Sequence, residues 1–395
     1  MAEPTTTGNG AVAPQDSLRG RQAGGVLTRL YTGAGGIDIV GRSRRWFTIA
    51  AAVIGISLLA MVIRGFSLGI DFEGGTRMTM PAGQVAEEAA EEVFTDATGV
   101  VPEQVQIIGS GEGRVLEITS TRLGEAQIGD AREALFEEFA PVDASGAPSP
   151  DTIGDSTVSE SWGSSITQRM LIAAVVFLVL VFGYITLRFE RDMAIAAIAS
   201  LLVDGVVILG CYSLTGLQVS PATVIGLLTV LSFSLYDTVV VFDKVEENTA
   251  GFAGSTRRSY PELVNLAVNQ SIMRSINTTV STLLPVAALL LIAVWALGVS
   301  TLADLAVIQF IGIIEGTFSS IFLAAPILVA LKSRQRTHRA HAARVAAARA
   351  GEDPDAAEPA AAEAAAPAAG APRAGGDRAP GGGESGPLTW RPGGR

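Results

Sequence analysis

The sequence predicts a polytopic α-helical membrane protein with six transmembrane helices and one extracytoplasmic α+β domain. Three observations support this fold class. Hydrophobic residues make up 48% of the 395 residues, six apolar runs are long enough to span a bilayer, and a polar, acidic stretch separates the first run from the second. The net charge of −11 argues against nucleic acid as a partner, because nucleic acid selects basic surfaces.

Cysteine and histidine usage narrows the possible chemistry. Cys211 is the only cysteine, so the chain can form no intramolecular disulfide and no cysteine-based metal site. Both histidines, His338 and His341, lie in a basic tail, which argues against a histidine-ligated metal or a Ser-His-Asp triad inside the membrane. The sequence therefore predicts a protein that is not an enzyme and that carries no cofactor.

The first transmembrane helix is predicted at residues 46–65, after a disordered segment at residues 1–40 that is rich in Gly, Thr, Ala and Pro. Arg44 and Arg45 precede this helix and Trp46 marks its membrane interface, so the N-terminus is expected in the cytoplasm. A cleaved signal peptide is the alternative interpretation, but the leader is long for one and no small-residue cleavage site follows.

Residues 66–165 form the predicted extracytoplasmic domain, in which acidic residues far outnumber basic ones. Residue periodicity predicts a strand, a helix, two strands, a helix and a last strand, at 76–80, 84–98, 104–109, 114–120, 125–139 and near Thr157. Because this order is the ferredoxin-like pattern, the sequence predicts a ferredoxin-like fold for the domain.

Five further apolar runs within residues 166–332 predict the second to sixth transmembrane helices, at 170–187, 193–214, 219–242, 276–297 and 302–331. Basic residues flank alternate connections, including a predicted cytoplasmic loop at 244–268, so the positive-inside rule places both termini in the cytoplasm. Residues 333–395 are predicted to be a cytoplasmic tail, basic at first and then low-complexity and disordered.

Asp237 is an ionisable residue inside the fourth apolar run. A carboxylate at the centre of a span is unfavourable by about 2.5–3.5 kcal/mol on insertion scales, so it is expected to face the bundle interior or a water-filled path. Arg274 and Asn277 share one face of the fifth span with Gln270 and Ser281. Since spans four and five run antiparallel, we expect an Asp237–Arg274 pair, which is either a proton-responsive element or a static salt bridge.

Three other acidic residues in the apolar runs have more than one interpretation. Asp204, near the middle of span three, either lines a polar path with spans four and five or is a helix-packing group bonded to a Ser or Thr. Glu315 of span six is similarly ambiguous. Asp304, at the outer end of span six, is either a point of proton access or an exposed cap residue.

Two glycine-bearing motifs have structural interpretations. The stretch GIDFEGGT (69–76) follows span one; its glycines permit a tight turn with positive φ, and it lacks the phosphate-loop pattern. In span six, small residues recur at every fourth position, which is typical of close helix packing. The predicted structural residues are Gly69, Asp71, Gly74, Gly75, Gly312 and Gly316.

Four stretches together resemble signatures of the SecF family of protein-export membrane proteins: GIDFEGGT (69–76), SLYDTVVVFDKVEEN (234–248), NQSIMRSINT (269–278) and GTFSSIF (316–322). The resemblance covers about residues 38–331, with the motifs in the right order. It implies six spans, one extracytoplasmic ferredoxin-like domain and membership of the RND-type superfamily. It also implies a multi-pass location in the lipid bilayer of a bacterial plasma membrane.

The resemblance further implies a function. SecD, the SecYEG translocon and a translocating preprotein would be the partners, and the proton gradient would be the energy source in place of a cofactor. Asp237 and Arg274 match the intramembrane Asp and Arg of the family. With Asn277 and Asp204 they are the predicted proton-coupling residues, Asp237 as proton acceptor and Arg274 as its counter-ion.

The sequence departs from the family pattern in three places. Tyr236 stands where Asn is common, Val203 stands where a His commonly precedes Asp204, and Glu315 stands where a small or apolar residue is expected. Three other functions remain open: a scaffold for SecD that carries no protons, half of another RND-type exporter, and an intramembrane aspartyl protease. The protease would use Asp204 and Asp237, but its GxGD motif is missing, because Asp204 lies in the stretch LVDG.

Overall fold

The computed structural model describes residues 37–353, except 110, 144 and 294–298. Six helices among these residues are long and apolar enough to cross a membrane, as predicted. Most of the predicted disordered N-terminus and the low-complexity part of the tail lie outside the described residues. The six helices, called spans one to six, are Ser43–Arg64, Glu160–Arg188, Arg191–Thr215, Pro221–Gly254, Tyr260–Leu291 and Ser300–Lys332.

A small α/β region, the sheet domain (66–159), connects spans one and two. Four strands form one antiparallel sheet: β2 (Gly75–Pro81), β3 (Gln104–Ile108), β4 (Val115–Ser120) and β5 (Gly154–Val158). Their order in the sheet is β3-β4-β2-β5. Helices Glu87–Thr98 and Glu125–Phe139 follow β2 and β4, so the elements occur in the predicted order with boundaries within a few residues of the prediction. Two further strands of the described residues are β1 (Ser67–Leu68) and β6 (Gln218–Val219).

The sheet domain has a hydrophobic core of its own. Alternate residues of β2 and β4 point to one face of the sheet, because side chains along a strand alternate between its faces. The two helices cover that face with their apolar sides, which is the pattern that the sequence predicted. The fully buried residues of this core include Met78, Leu116, Ile118, Phe94 and Leu135.

A second, two-stranded parallel sheet links the sheet domain to the membrane helices. Strand β1, directly after span one, pairs with β6, directly before span four, in the register Ser67↔Gln218. The backbone N–H of Gly69 extends this pairing by donating to the carbonyl of Val219 at 2.9 Å. The chain is thereby fixed at the point where it leaves span one and enters the sheet domain.

The predicted loop at 244–268 is wrong for most of its length. The α-helix of span four continues to Thr249, and span five begins at Tyr260, well before the apolar run that defined it in the sequence. A capping box begins span five, in which Ser259 and Glu262 bond reciprocally and Pro261 occupies the first turn. Such a cap starts a helix whether or not the following residues are apolar.

The predicted cytoplasmic tail, basic at its start and then low-complexity, begins with a helix that its composition did not indicate. Residues Arg336–Ala350 form a helix that packs against the connection between spans four and five. The ring of His338 stacks on Phe252 with a centroid distance of 5.0 Å, and His341 Nε2 lies 2.8 Å from the carbonyl oxygen of Ser255. Arg349 donates to Glu262 at 2.7 Å. Aromatic and charged contacts therefore order a segment whose composition did not indicate a helix.

The described end of the N-terminal segment is bound as well. The backbone N–H groups of Ile37 and Ile39 donate to the side-chain oxygens of Asn269 and Asn265, at 3.0 and 2.9 Å. Both asparagines belong to span five. The predicted disorder of residues 1–40 therefore does not extend to residues 37–40, where two side chains of another helix satisfy the backbone donors.

Candidate functional site

Asp237 lies in the bundle interior, as its position in an apolar run predicted. Its side chain is only 7% exposed. A cavity of about 20 Å³ adjoins it between spans four, five and six, and a space of this size holds about one water molecule. Four threonines line the cavity with Ser234, together with the apolar residues Phe233, Gly312 and Ile313; the threonines are Thr278, Thr279, Thr282 and Thr317. A buried carboxyl beside a water-sized space can take up and release a proton.

Arg274 does not form the predicted direct ion pair with Asp237. Its guanidinium Nη2 instead donates to the hydroxyl of Tyr236 at 3.2 Å, and among the described residues it makes no ion pair with a carboxylate. Arg274 still acts on Asp237 electrostatically, without contact. Tyr236, one of the departures from the family pattern, is therefore the residue that holds Arg274.

The polar face of span five points away from the bundle. Arg274, Asn277 and Ser281 are exposed in the isolated chain. The hydroxyls that face inward belong to a neighbouring face of span five, about 100° around the helix from Arg274. On that face Ser275 is buried, and Thr279 bonds to Thr317 of span six at 2.7 Å. Asn277 is thus on the outer surface, and it does not contact Asp237 in this structure.

Asp204 is fully buried near the middle of span three and does not contact span five. Its Oδ2 accepts a hydrogen bond from the Ser234 hydroxyl of span four, while its Oδ1 has no hydrogen-bond partner. Its carboxyl also contacts that of Glu315 in span six. Of the two interpretations of Asp204, the helix-packing group bonded to a Ser is the one observed, through Ser234. The polar path through spans three, four and five stays a prediction.

Ser234 is a site residue that the sequence analysis did not identify, and Glu315 is one whose role it left ambiguous. Ser234 lies one turn before Asp237, a rise of about 4.5 Å. Asp204 of span three is therefore bonded to span four one turn away from Asp237, which span four itself carries. Ser234 could have been noticed as a hydroxyl residue in the same apolar run as Asp237. Only the packing of the helices shows that its hydroxyl donates to Asp204.

The small residues of span six allow it to lie directly against span four. A Cβ atom at Gly312 would fall 2.4 Å from Val230 Cγ2, and one at Gly316 would fall 2.7 Å from Ser234 Cβ. Both distances are far below ordinary carbon–carbon contact. The two glycines therefore set the separation of the helices that carry Asp237, Ser234 and Glu315.

The GIDFEGGT stretch forms a tight turn between span one and the sheet domain. Asp71 lies in the short helix Ile70–Glu73, and Gly74 and Gly75 follow it with φ of +84° and +143°. A Cβ atom at Gly75 would lie 2.6 Å from the carbonyl oxygen of Ser120, and one at Gly74 2.8 Å from the backbone nitrogen of Glu160. Both positions require glycine, whereas Gly69 has an ordinary φ of −72°.

Asp304 is not an exposed cap residue. It is partly buried and lines a cavity of about 270 Å³ between the sheet domain and the ends of spans three and six. Arg77 and Glu117 of the sheet line the same cavity and lie 3.4 Å apart. The remaining interpretation of Asp304, a point of proton access, stays a prediction.

Comparison with known proteins identifies relatives over most of the chain. The family model "Protein export membrane protein SecD/SecF, C-terminal" matches residues 141–334, and the model "SecD/SecF GG Motif" matches residues 59–84. A protein translocase subunit SecF from Mycobacterium tuberculosis is 53% identical over 319 residues, which cover 81% of this chain and 72% of the relative. The SecF subunit of Streptomyces coelicolor is 36% identical over 82% of this chain and 84% of its own length.

Comparison with solved structures also identifies a similar protein over most of the chain. The crystal structure of SecDF from Thermus thermophilus, described as a translocon-associated membrane protein, superposes with a TM-score of 0.64 and 28% sequence identity. The alignment covers 75% of this chain but 39% of the SecDF chain. This chain therefore corresponds to about two fifths of that longer protein.

Proposed function

Because the chain belongs to the SecD/SecF family of protein-export membrane proteins, we propose that it is a SecF-like subunit that works with SecD. In this proposal it uses the proton motive force to assist preprotein translocation through the SecYEG translocon of a bacterial plasma membrane. The observation that carries the proposal is the buried carboxyl of Asp237 beside a water-sized cavity that four threonines help to line. The chain is given no catalytic reaction.

Asp237 is the proton acceptor in this proposal. Protonation removes its negative charge and with it the attraction that Arg274 exerts across span four. One proton moving through 100 mV releases about 2.3 kcal/mol, which is enough to bias a tilt of packed helices. Arg274 is the counter-ion, and it is held by Tyr236 at 3.2 Å so that it responds to the charge of Asp237 without binding it.

SecD is the proposed partner on the outer face of span five. Tyr236 is 49% exposed, and Arg274 and Asn277 are exposed beside it. Charged and amide groups are unfavourable against lipid and usually pair within a helix bundle. The longer SecDF relative, of which this chain covers 39%, supports a second membrane unit that covers this face. Asn277 has its proposed proton-coupling role at that interface.

The sheet domain is placed outside the cytoplasm in this proposal, with both termini inside. The flanking arginines and lysines of the spans support this orientation through the positive-inside rule. The strand order β3-β4-β2-β5 with two helices on one face supports a ferredoxin-like fold. The domain would contact the emerging preprotein, and the cavity that contains Asp304 lies at its junction with the spans.

A complementation experiment tests this proposal. The chain is depleted from its host and replaced by wild type, Asp237→Asn or Asp243→Asn at equal membrane levels, and export of a pulse-labelled secreted protein is followed. Asp243 is the matched control because it lies on the same helix but is 45% exposed and paired with Arg188. SecD is recovered by pull-down from each strain.

Slow export with Asp237→Asn, normal export with Asp243→Asn and equal recovery of SecD are the expected results. Full export with Asp237→Asn would refute proton coupling at this carboxyl. It would favour the scaffold function, which the exposed polar face of span five also supports.

A further inference from the structure

Asp204 and Glu315 lie together in the middle of the bundle, because Ser234 donates to Asp204 and packs against Gly316, the residue that follows Glu315. Asp204 is fully buried, and Glu315 lies on the facing side of span six. Each carboxyl has one buried oxygen without a hydrogen-bond partner, namely Asp204 Oδ1 and Glu315 Oε2. Buried polar atoms are rarely left unpaired, so these two unpaired oxygens indicate that a hydrogen-bond donor lies between them.

A single proton satisfies both oxygens. Two ionised carboxylates in contact repel each other strongly in a low-dielectric interior, and such pairs hold one proton between them. Ser234 already donates to Asp204 Oδ2, and the Ser319 hydroxyl also interacts with Asp204. Two hydroxyls therefore lie beside Asp204, whereas no described residue donates a hydrogen bond to Glu315 Oε2.

We propose that Asp204 and Glu315 form a proton-sharing pair, in which Glu315 carries the proton and donates it to Asp204 Oδ1. Asp204 then holds the negative charge, solvated by the hydroxyls of Ser234 and Ser319. This second protonated site is separate from Asp237. It also gives Glu315 a role, although this residue stands where the family pattern is small or apolar.

The surroundings of the pair contain no compensating cation. Span three contributes Cys211, which interacts electrostatically with Glu315, and span four contributes Asp237, one turn beyond Ser234. Span one contributes apolar side chains and Trp46. No arginine or lysine of the described residues forms an ion pair with either carboxyl. Within the part of the chain that the structure describes, a bound proton is therefore the positive charge left to balance the pair.

Glu315 also lines a cavity of about 90 Å³ between spans one, three and six, together with Ser319 and mainly apolar residues. The Ser319 hydroxyl bonds to that of Ser200 at 2.7 Å. Apolar surroundings of this kind disfavour the charged form of a carboxyl group.

Infrared spectroscopy of the purified full chain tests this inference. Samples at neutral pH carry carboxyl ¹³C either in all glutamates or in all aspartates, and the carbonyl band of protonated carboxylic acids is recorded. We expect a protonated band that shifts with glutamate labelling and that is lost in Glu315→Gln, whose amide donates to Asp204 in place of the acid. Asp237→Asn is the control, and it keeps the glutamate band.

Two results would overturn the inference. One is the absence of any protonated carboxyl band that responds to glutamate labelling in wild type, a result that does not depend on whether a variant folds. The other is persistence of that band in Glu315→Gln. The inference extends the proposed function at Asp204, but the two can fail separately, because protonation is read here by spectroscopy and the proposed function is read by export.

Discussion

Gly312 offers a direct test of the packing between spans four and six. A Cβ atom at this position would lie 2.4 Å from Val230 Cγ2, 2.7 Å from Val230 Cβ and 3.0 Å from Val230 Cγ1. Ordinary carbon–carbon contact is about 3.5–4.0 Å, so Gly312→Ala must push the helices apart by roughly 1 Å. Overpacking of this kind costs about 1–3 kcal/mol, against which alanine returns at most about 1 kcal/mol of helix propensity.

The assay is the free energy of unfolding of the purified chain in mixed micelles, measured by denaturant titration. Gly183→Ala in span two is the matched control, because nothing lies within 4 Å of a Cβ atom there. We expect Gly312→Ala to lower the free energy of unfolding by about 1 kcal/mol and Gly183→Ala to leave it unchanged or raise it. Val230→Ala removes two of the three clashing atoms, so the double variant should lose less than the sum of the single variants.

Equal or greater stability of Gly312→Ala relative to Gly183→Ala would refute the close approach of the two helices. Additive effects of Gly312→Ala and Val230→Ala would refute the identity of the contact. Either result would also remove the geometric basis for placing Ser234 and Glu315 around Asp204, since the same helix pair positions them.

Three further predictions concern single contacts. Ser234→Ala removes the donor to Asp204 Oδ2 and should lower the free energy of unfolding by about 1 kcal/mol. Tyr236→Phe removes the acceptor for Arg274; because both groups are exposed, it should lower that free energy by about 0.5 kcal/mol. Burial, and then the nearby Lys332 charge, lower the pKa of His338 below 6.5, so the folded state keeps this ring neutral. Below about pH 6.5 the unfolded state binds the proton first, so the free energy of unfolding decreases as the pH is lowered. Amide hydrogen exchange in the helix Arg336–Ala350 should therefore accelerate at low pH.

Each of these predictions has a control. Thr229→Ala, which removes an exposed hydroxyl on span four, should have a smaller effect than Ser234→Ala. A loss above about 2 kcal/mol in Tyr236→Phe would mean that Arg274 is more buried than the structure shows. His338→Gln should abolish the acceleration of amide hydrogen exchange at low pH. If the acceleration persists in this variant, another titratable group causes it.

The order of the elements was predictable because the periodicity of apolar residues and the length of apolar runs can be read from the sequence. Strand alternation and helical periodicity located β2, β4 and the two domain helices, and apolar length located the six spans. The ends of spans four and five were not predictable from hydropathy, because the helices continue into polar sequence. The capping residues Ser259 and Glu262 are visible in the sequence, and they would have located the start of span five.

The site was predictable only in part. Hydropathy is sufficient to place Asp237 in the bundle interior, since a carboxyl in an apolar run must avoid lipid. Residue spacing shows that Arg274 and Asn277 share one face of span five. Spacing does not show which neighbouring helix that face contacts, and in the structure both residues are exposed. The contact of Asp204 with Glu315 depends on the relative register of spans three and six, which no local pattern specifies.

The central claim is that proton flow acts through Asp237, and translocation in inverted membrane vesicles tests it most directly. Vesicles with equal amounts of SecD and of wild type or Asp237→Asn are compared with and without a protonophore that collapses the gradient. The protonophore should slow translocation more strongly in wild type than in Asp237→Asn, whose rate with an intact gradient is already low. An equal fractional loss in both kinds of vesicle would contradict a role of Asp237 in proton coupling.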